Sequence, residues 1–366
     1  MTLLNDMFDK GGQSPWMDNI KRSWLKDGTL KSYVDRGIRG VTSNPTIFTK
    51  AIEASSDYDE QFFSLVEKGM TVEECYWELV KTDITDALNI LDPVYESSNG
   101  ADGFVSIEVA PTLANDSTKT LEMAKMLSTE ISKHNLLVKI PATREGLLPI
   151  KEMIKDGRSV NVTLIFSVKR YKEVIDAYLS GLEERVANGV VDLSNVSSVA
   201  SFFVSRVDTE VDKRLDAIGS DLALSLRGKT AVSQAKLAYE LFKEEFYSPR
   251  FESLKKYGAR LQRPLWASTS TKNPNYDGLI YVNNLIGANT VNTMPDSTVN
   301  TFLDHGKVEN VIEKDLDLAY KHLQDIKDVG IDIDNVTEQL ENEGVESFRG
   351  SFEELLGQLE NKAKSH

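Results

Sequence analysis

The chain has 366 residues, which is enough for two or three average domains or for one α/β barrel. Its 42 basic and 57 acidic residues give a net charge of −15, which argues against binding to nucleic acids or to anionic membranes. The single cysteine, Cys75, excludes an intrachain disulfide bond and a zinc site built from cysteines.

Eight short apolar segments, rich in Val, Ile and Phe and bounded by Gly, Pro, Asn or Ser, are typical of buried strands. They lie at residues 14–18, 38–43, 103–111, 135–141, 160–166, 199–205, 263–268 and 289–294. Longer amphipathic segments between them predict helices, among them residues 71–91, 117–134 and 168–187. Strands that alternate with helices pair in parallel through right-handed crossovers.

This alternation predicts an α/β fold, and eight units favour a closed (β/α)8 TIM barrel. An open doubly wound sheet fits six or seven of the strands as well. Two regions exceed a minimal barrel, at about residues 207–260 and 308–363, and we interpret them as outer and C-terminal helices. Because no linker rich in Pro, Gly or Ser separates them, we predict one barrel domain over residues 1–366.

Targeting signals are not recognisable in the sequence. No segment approaches the run of about 18 apolar residues that a membrane helix needs. Residues 1–12 are too polar and acidic for a signal peptide. We therefore expect a cytoplasmic protein without a membrane partner.

Lys139 lies inside the apolar fourth strand, although lysine is almost never buried without a partner. Removal from water disfavours the charged form of a lysine, and a neutral lysine forms Schiff bases with ketones and aldehydes. A salt-bridged lysine at a strand end fits the same position. Functional residues of parallel barrels lie at the carboxyl ends of the strands, which is where the fourth strand places Lys139.

Two acidic residues occupy equivalent positions, Asp18 at the end of the first strand and Glu108 in the third. Schiff-base chemistry needs acid and base groups to remove water and to move the proton of the cleaved alcohol. A structural ion network with Lys139 is the alternative. The shared location at the catalytic ends of the strands favours function.

Further polar residues follow the same rule. Asn44 precedes a proline and fits a helix N-cap. Asn161 and Thr163 are two residues apart in the fifth strand, so both can face a polyhydroxylated ligand inside the barrel. Arg206 and Lys272 follow the sixth and seventh strands, where they could bind a phosphate or pair on the surface. The histidines have no metal-ligand spacing, so no metal site is predicted.

Six segments together resemble the transaldolase family, in its longer bacterial form. They are GVTSNPTIF at 40–48, VSIEVAP at 105–111, LVKIPAT at 137–143, VNVTLIFS at 160–167, VASFFVSRVD at 199–208 and WASTSTKNP at 266–274. The resemblance covers most of the chain from about residue 14 to residue 306. It implies that Lys139 forms the Schiff base and that Asp18 handles the hydroxyl proton during carbon–carbon cleavage. It also implies that Glu108 acts through a water held by Thr163.

The resemblance implies a set of substrate-binding residues around this lysine, namely Thr42, Asn44, Asn161, Ser201, Phe203, Arg206 and Lys272. The asparagines would bind the dihydroxyacetone unit, and Thr42 and Ser201 would support them. Arg206 would bind phosphate. The shorter transaldolases have a second arginine where Lys272 is the nearest match here.

The implied reaction is transfer of dihydroxyacetone from sedoheptulose 7-phosphate to glyceraldehyde 3-phosphate, giving erythrose 4-phosphate and fructose 6-phosphate. It belongs to the pentose phosphate pathway and needs no metal or organic cofactor. A monomer or a homodimer is expected.

Two alternatives remain. One is a class I aldolase of the fructose-6-phosphate aldolase kind that releases free dihydroxyacetone. The length of the chain, together with Glu108 and Phe203, favours transfer. The other is a non-catalytic protein that binds sugar phosphates, for which a substitution at Asp18, Glu108 or Lys139 would be expected.

Overall fold

Eight parallel strands close into a barrel in sequence order in the computed structural model, which describes residues 2–365. The strands are β1 Gln13–Met17, β2 Gly40–Val41, β3 Phe104–Glu108, β4 Leu136–Pro141, β5 Val160–Ile165, β6 Ser198–Phe203, β7 Gln262–Ala267 and β8 Thr290–Met294. Pairing of β1 with β8, which places Met17 opposite Met294, closes the barrel. The prediction of a closed (β/α)8 barrel is confirmed, and the open sheet is excluded.

Helices surround this barrel. In the described part of the chain they are α1 Leu3–Asp9, α2 Arg22–Lys26, α3 Thr29–Asp35, α4 Pro45–Glu53, α5 Asp59–Glu67, α6 Val72–Ser97, α7 Ser117–Ile131, α8 Arg144–Lys155, α9 Val168–Ala187, α10 Ser205–Ile218, α11 Asp221–Ser225, α12 Thr230–Phe246, α13 Pro249–Lys255, α14 Ile280–Asn283, α15 Asp296–His305, α16 Leu316–Asp328 and α17 Ile333–Lys364. Short 3₁₀ helices cover Ser56–Tyr58 and Pro111–Leu113. No helix within residues 2–365 has the length and apolarity that crossing a membrane requires.

Local sequence explains where the long helices begin. The Thr71 hydroxyl accepts a hydrogen bond from the Glu74 N–H at 3.3 Å, and the Glu74 carboxylate accepts one from the Thr71 N–H at 2.8 Å. This capping box starts α6 at Val72, directly after the N-cap Thr71 at the beginning of the predicted 71–91 segment. Helix α9 has the predicted bounds, and its N-cap Ser167 accepts a hydrogen bond from the N–H of Arg170.

The additional helical regions take two different places. Helices α10 to α13 follow β6 and precede β7, and they fill the predicted 207–260 region. Helix α17 packs against α4, α6, α10 and the end of β5, so it crosses the carboxyl end of the barrel. The C-terminal region therefore reaches the end of the barrel where enzymes of this architecture carry their active sites.

A buried carboxylate, Asp102, organises the opposite, amino-terminal end of the barrel. It accepts hydrogen bonds from Ser14 Oγ at 2.6 Å, Trp16 Nε1 at 3.0 Å, Arg39 Nε at 2.8 Å and Arg263 Nη2 at 3.0 Å. Burial alone would raise the pKa of Asp102, but the two arginines and these hydrogen bonds hold it below its usual value. The network joins β1, β7 and the segments that lead into β2 and β3.

Replacing this carboxylate tests its structural role. We expect Asp102→Ala to lower the free energy of unfolding by about 3–5 kcal/mol at pH 7, because two arginines lose their counter-charge. A carboxylate with a lowered folded-state pKa contributes its stability above the unfolded value of about 3.9. The difference from the wild type should therefore shrink as the pH falls below about 4.

Urea denaturation followed by circular dichroism measures both effects. Asp35→Ala is the matched control, since Asp35 pairs with Lys31 on the exposed face of α3 and should cost at most about 0.5 kcal/mol. Equal losses in the two variants would contradict a structural role for the Asp102 network.

Candidate active site

A cavity of about 780 Å³ opens at the carboxyl ends of the strands. Nine of the eleven predicted site residues line it, namely Asp18, Thr42, Asn44, Lys139, Thr163, Ser201, Phe203, Arg206 and Lys272. The other two, Glu108 and Asn161, are buried behind the cavity wall. Glu108 accepts a hydrogen bond from Lys139, and Asn161 accepts one from Ser201. The barrel thus brings all the predicted residues together.

Lys139 is paired with an acid. Its Nζ donates hydrogen bonds to the Ser43 carbonyl oxygen at 2.9 Å and to Glu108 Oε2 at 3.0 Å. The lysine is 4% exposed and the glutamate 8% exposed. Burial raises the pKa of Glu108, the Lys139 charge opposes that rise, and Asp18 adds to it.

This geometry joins the two interpretations that the sequence left open. Lys139 is salt-bridged at a strand end, and it also faces a cavity. A carboxylate whose pKa is raised by burial is a proton acceptor at 3.0 Å from the ammonium group. Transfer of one proton to Glu108 leaves Lys139 as a neutral amine without separating a charge in the barrel interior.

Asp18 follows β1 and is held by threonines. Thr42 Oγ1 donates to Asp18 Oδ1 at 2.6 Å and lies 2.7 Å from Thr293 Oγ1. Because Thr42 has a single hydroxyl proton and gives it to Asp18, Thr293 must donate to Thr42. Burial raises the pKa of Asp18, and the Thr42 hydrogen bond and the Lys139 charge limit that rise.

The two predicted asparagines differ in how far the protein already satisfies them. Asn44 Oδ1 accepts from the Ile47 N–H at 3.0 Å and caps α4, as its position before Pro45 predicts. Its amide nitrogen has no partner among the described residues and remains available to a ligand. Asn161 donates to Ser106 Oγ at 3.0 Å and accepts from Ser201 Oγ at 2.7 Å. Ser201 therefore orients the Asn161 amide.

Thr163 lies at an irregularity at the end of β5. The register with β6 shifts between Val162 and Ile165, and Leu164 has a φ of 58°. A leucine in this left-handed region is strained by roughly 1–3 kcal/mol, and such strain is typical of functional sites. The Thr163 hydroxyl is buried with no hydrogen-bond partner in residues 2–365, although its residue lines the cavity. It can therefore bind a water or a substrate oxygen.

Cations concentrate at the mouth of the cavity. Arg206 makes no hydrogen bond or ion pair with the described residues, and neither does Lys50 of α4. Lys272 Nζ donates to Ser270 Oγ at 2.6 Å. Desolvation and the positive charges of Arg206 and Lys50 lower the pKa of Lys272. Three cations at one cavity mouth, none of them in an ion pair with a carboxylate of the described residues, are suited to an anionic ligand.

Two comparisons with known proteins identify the family of the chain. A family model described as Transaldolase/Fructose-6-phosphate aldolase matches residues 15–359. A transaldolase of Thermobifida fusca is 46% identical over 97% of each chain. A transaldolase of Frankia alni is 47% identical over 95% of this chain and 94% of its own, and one of Mycolicibacterium smegmatis is 47% identical over 95% of each chain.

The chain belongs to the transaldolase/fructose-6-phosphate aldolase family. The resemblance inferred from six segments is confirmed, and the protein is an enzyme of the transaldolase family. The match extends to residue 359 and so includes most of α17, which the six segments do not reach.

The transaldolase-family site also contains residues outside the eleven predicted ones. They are Lys50, Thr293, Ser347 and Phe348, which line the cavity, and Ser43, whose carbonyl oxygen binds Lys139. Thr293 lies one residue before the end of β8, so it follows the same strand-end rule as the predicted residues. Ser347 and Phe348 lie in a charged amphipathic helix, and no local pattern indicates that this helix crosses the barrel.

The ion pair predicts a pH-dependent stability. Lys139→Met leaves Glu108 buried without its counter-charge and should lower the free energy of unfolding by about 1–3 kcal/mol at pH 7. With a pKa raised in the folded state, Glu108 binds more protons folded than unfolded, so the variant should regain stability as the pH falls toward 5. Urea denaturation at pH 5, 6 and 7 measures this trend.

The double variant Lys139→Met/Glu108→Gln is the matched control for this prediction. Glutamine does not titrate, so the pH-dependent part of the deficit should disappear. A deficit in Lys139→Met that stays constant between pH 5 and pH 7 would contradict the assignment of Glu108 as the buried titrating group.

Proposed function

We propose that this enzyme is a transaldolase that moves a dihydroxyacetone unit through a Schiff base on Lys139. The donor is sedoheptulose 7-phosphate and the acceptor glyceraldehyde 3-phosphate; the products are erythrose 4-phosphate and fructose 6-phosphate, as in the cytoplasmic pentose phosphate pathway. The observation that carries the proposal is the buried Lys139–Glu108 pair below a cavity with cations at its mouth. The relatives named transaldolase support it.

Formation of the Schiff base uses Lys139, Glu108 and Thr163. Glu108 takes the ammonium proton, and the neutral amine attacks the ketone carbon of the donor. The resulting carbinolamine must lose its hydroxyl group as water. Protonated Glu108 supplies the proton for this step through a water that the Thr163 hydroxyl holds. The iminium ion that forms draws electrons from the neighbouring carbon–carbon bond, so the lysine itself provides the electron sink.

Cleavage and transfer use Asp18. Its carboxylate takes the proton of the hydroxyl next to the breaking bond, and erythrose 4-phosphate leaves. Burial raises the pKa of Asp18 and makes it a stronger base, while the Thr42 hydrogen bond limits that rise. The three-carbon unit stays on Lys139 as an enamine. The aldehyde of glyceraldehyde 3-phosphate accepts it, Asp18 returns the proton, and hydrolysis releases fructose 6-phosphate.

Substrate binding follows from the polar groups left free around Lys139. The Asn44 amide nitrogen binds a hydroxyl of the dihydroxyacetone unit, and the second N–H of the Asn161 amide, which Ser201 and Ser106 orient, binds another. Phe203 forms the wall beside them. Arg206 binds the phosphate with its planar guanidinium, and Lys272 adds a point charge in place of a second arginine. The substrates are therefore sugar phosphates, although the whole protein is acidic.

Borohydride trapping tests the Schiff base. Incubation with fructose 6-phosphate followed by reduction should leave a three-carbon adduct on Lys139, identified by peptide mass mapping. Lys139→Met should form no adduct while keeping the circular dichroism spectrum of the wild type. Lys50→Met, which removes another amine of the cavity, should still be labelled at Lys139. An adduct on a different lysine would overturn the proposal.

An acceptor assay separates transfer from simple cleavage. With fructose 6-phosphate alone the enzyme should release little free dihydroxyacetone, because the enamine stays on Lys139 until an aldehyde arrives. Adding erythrose 4-phosphate should start rapid formation of glyceraldehyde 3-phosphate, measured with a coupled enzyme assay. Free dihydroxyacetone appearing as fast as the transfer product would instead show an aldolase of the fructose-6-phosphate aldolase kind.

A further inference from the structure

The C-terminal helix α17 contributes directly to the cavity. Ser347 and Phe348 lie in its middle and line the cavity together with residues from the strand ends. The inference drawn from this contact rests on the proposed phosphate-binding role of Arg206. It concerns what holds Arg206 in place.

Arg206 is held by aromatic rings and not by acids. Its guanidinium carbon lies 5.4 Å from the centre of the Phe203 ring, which belongs to β6. It lies 6.0 Å from the centre of the Phe348 ring, which belongs to α17. Both distances are within the range of a cation–π interaction. No carboxylate of the described residues forms an ion pair with this arginine, and no hydrogen bond fixes it there.

This arrangement has a consequence for anion binding. A carboxylate that held the guanidinium would occupy the donors that a phosphate needs, and it would have to be displaced. Aromatic rings restrict the side chain without occupying its N–H groups as a carboxylate would. The rings thus reduce the conformational entropy that Arg206 loses when phosphate binds, without competing for the donors.

Helix α17 packs closely against the barrel, which lets the Phe348 ring reach Arg206. A Cβ atom at Gly344 would lie 3.0 Å from Leu164 Cδ2 and 3.7 Å from Arg206 Nη1. Gly344 and Phe348 are four residues apart, so they share one face of the helix. The small residue lets the helix approach the end of β5, and the ring one turn later reaches Arg206.

Other contacts fix α17 independently of Arg206. Thr49 Oγ1 of α4 donates to the Ser351 carbonyl oxygen at 3.0 Å, and Thr46 Oγ1 lies 2.9 Å from Ser351 Oγ. On the other side, Arg170 Nε of α9 pairs with Glu341 at 3.4 Å. Anchored to two different helices of the barrel, α17 presents the Phe348 ring in a constant position.

We propose that Phe348 is a positioning residue for phosphate recognition, which acts together with Phe203 by holding the Arg206 guanidinium near the two rings. It makes the C-terminal helix a determinant of selectivity for phosphorylated over non-phosphorylated substrates. The residue acts through Arg206 and takes no part in the chemistry at Lys139.

The test compares fructose 6-phosphate with fructose as donors, at a fixed concentration of the acceptor erythrose 4-phosphate. Phe348→Leu removes the ring and should lower the ratio of kcat/KM for the two donors about three- to tenfold. The change should lie mainly in KM for fructose 6-phosphate. The inhibition constant of inorganic phosphate, measured against the same donor, should rise by a similar factor.

Three further variants separate positioning from a general packing defect. Phe348→Tyr keeps the ring and should restore the selectivity ratio, while Phe348→Met gives a second ring-free variant of similar volume. Phe352→Leu is the matched control on the same helix. Phe352 is buried against Tyr76 and Trp77, with ring centres 5.2 and 6.2 Å away. Phe352→Leu should therefore lower the melting temperature and leave the ratio of kcat/KM for the two donors unchanged.

Arg206→Ala distinguishes failure of this inference from failure of the proposed function. If Arg206→Ala leaves the ratio unchanged, the phosphate site has been placed wrongly and the inference fails with it. If Arg206→Ala lowers the ratio but both ring-free variants lose activity equally with the two donors, the positioning role of Phe348 is refuted and the proposed phosphate site remains. The inference is supported if Phe348→Leu and Phe348→Met both lose activity selectively with fructose 6-phosphate and Phe348→Tyr restores the ratio.

Discussion

The buried pair of Lys139 and Glu108 is the interaction on which the rest of the site depends. The two residues are direct partners in the register of β3 and β4, so their contact follows from parallel strand pairing. An isolated charge in the barrel interior would be very costly, whereas a pair that shares one proton is tolerated. In the proposed mechanism, movement of this proton to Glu108 frees the lysine for attack. Structure and proposed chemistry thus use one set of contacts.

Two aspartates show how surroundings decide the role of a carboxylate. Asp102, at the amino-terminal end of the barrel, is saturated by two arginines and two further donors, so its pKa is lowered and it stays ionised as a structural link. Asp18, at the carboxyl end, has one threonine donor and more distant cations, so burial raises its pKa. A raised pKa suits a group that must take up and return protons. The net charge of −15 describes the whole protein and does not show these local differences, since the cations at the cavity mouth act only on nearby groups.

Much of the fold and the site could be predicted because the signals are local. Apolar runs with turn residues at their ends define the strands, and the capping box at Thr71 defines the start of α6. In a parallel barrel every strand ends at the same edge, so residues far apart in sequence, such as Asp18 and Lys272, could be assigned to one cavity. The strained Leu164 and the unpartnered Thr163 hydroxyl could not be predicted, because a register shift depends on both neighbouring strands.

The sequence by itself determined the barrel, the identity of the buried lysine and its acids, and the approximate set of polar residues around them. It did so because strand periodicity and strand ends are properties of short segments. Only the tertiary structure decided that α17 crosses the cavity and brings Phe348 to Arg206. Phe348 and Arg206 are 142 positions apart in the sequence. They meet only because α17 packs against α4, α9 and α10. No pattern within the helix itself specifies which part of the barrel it will cover.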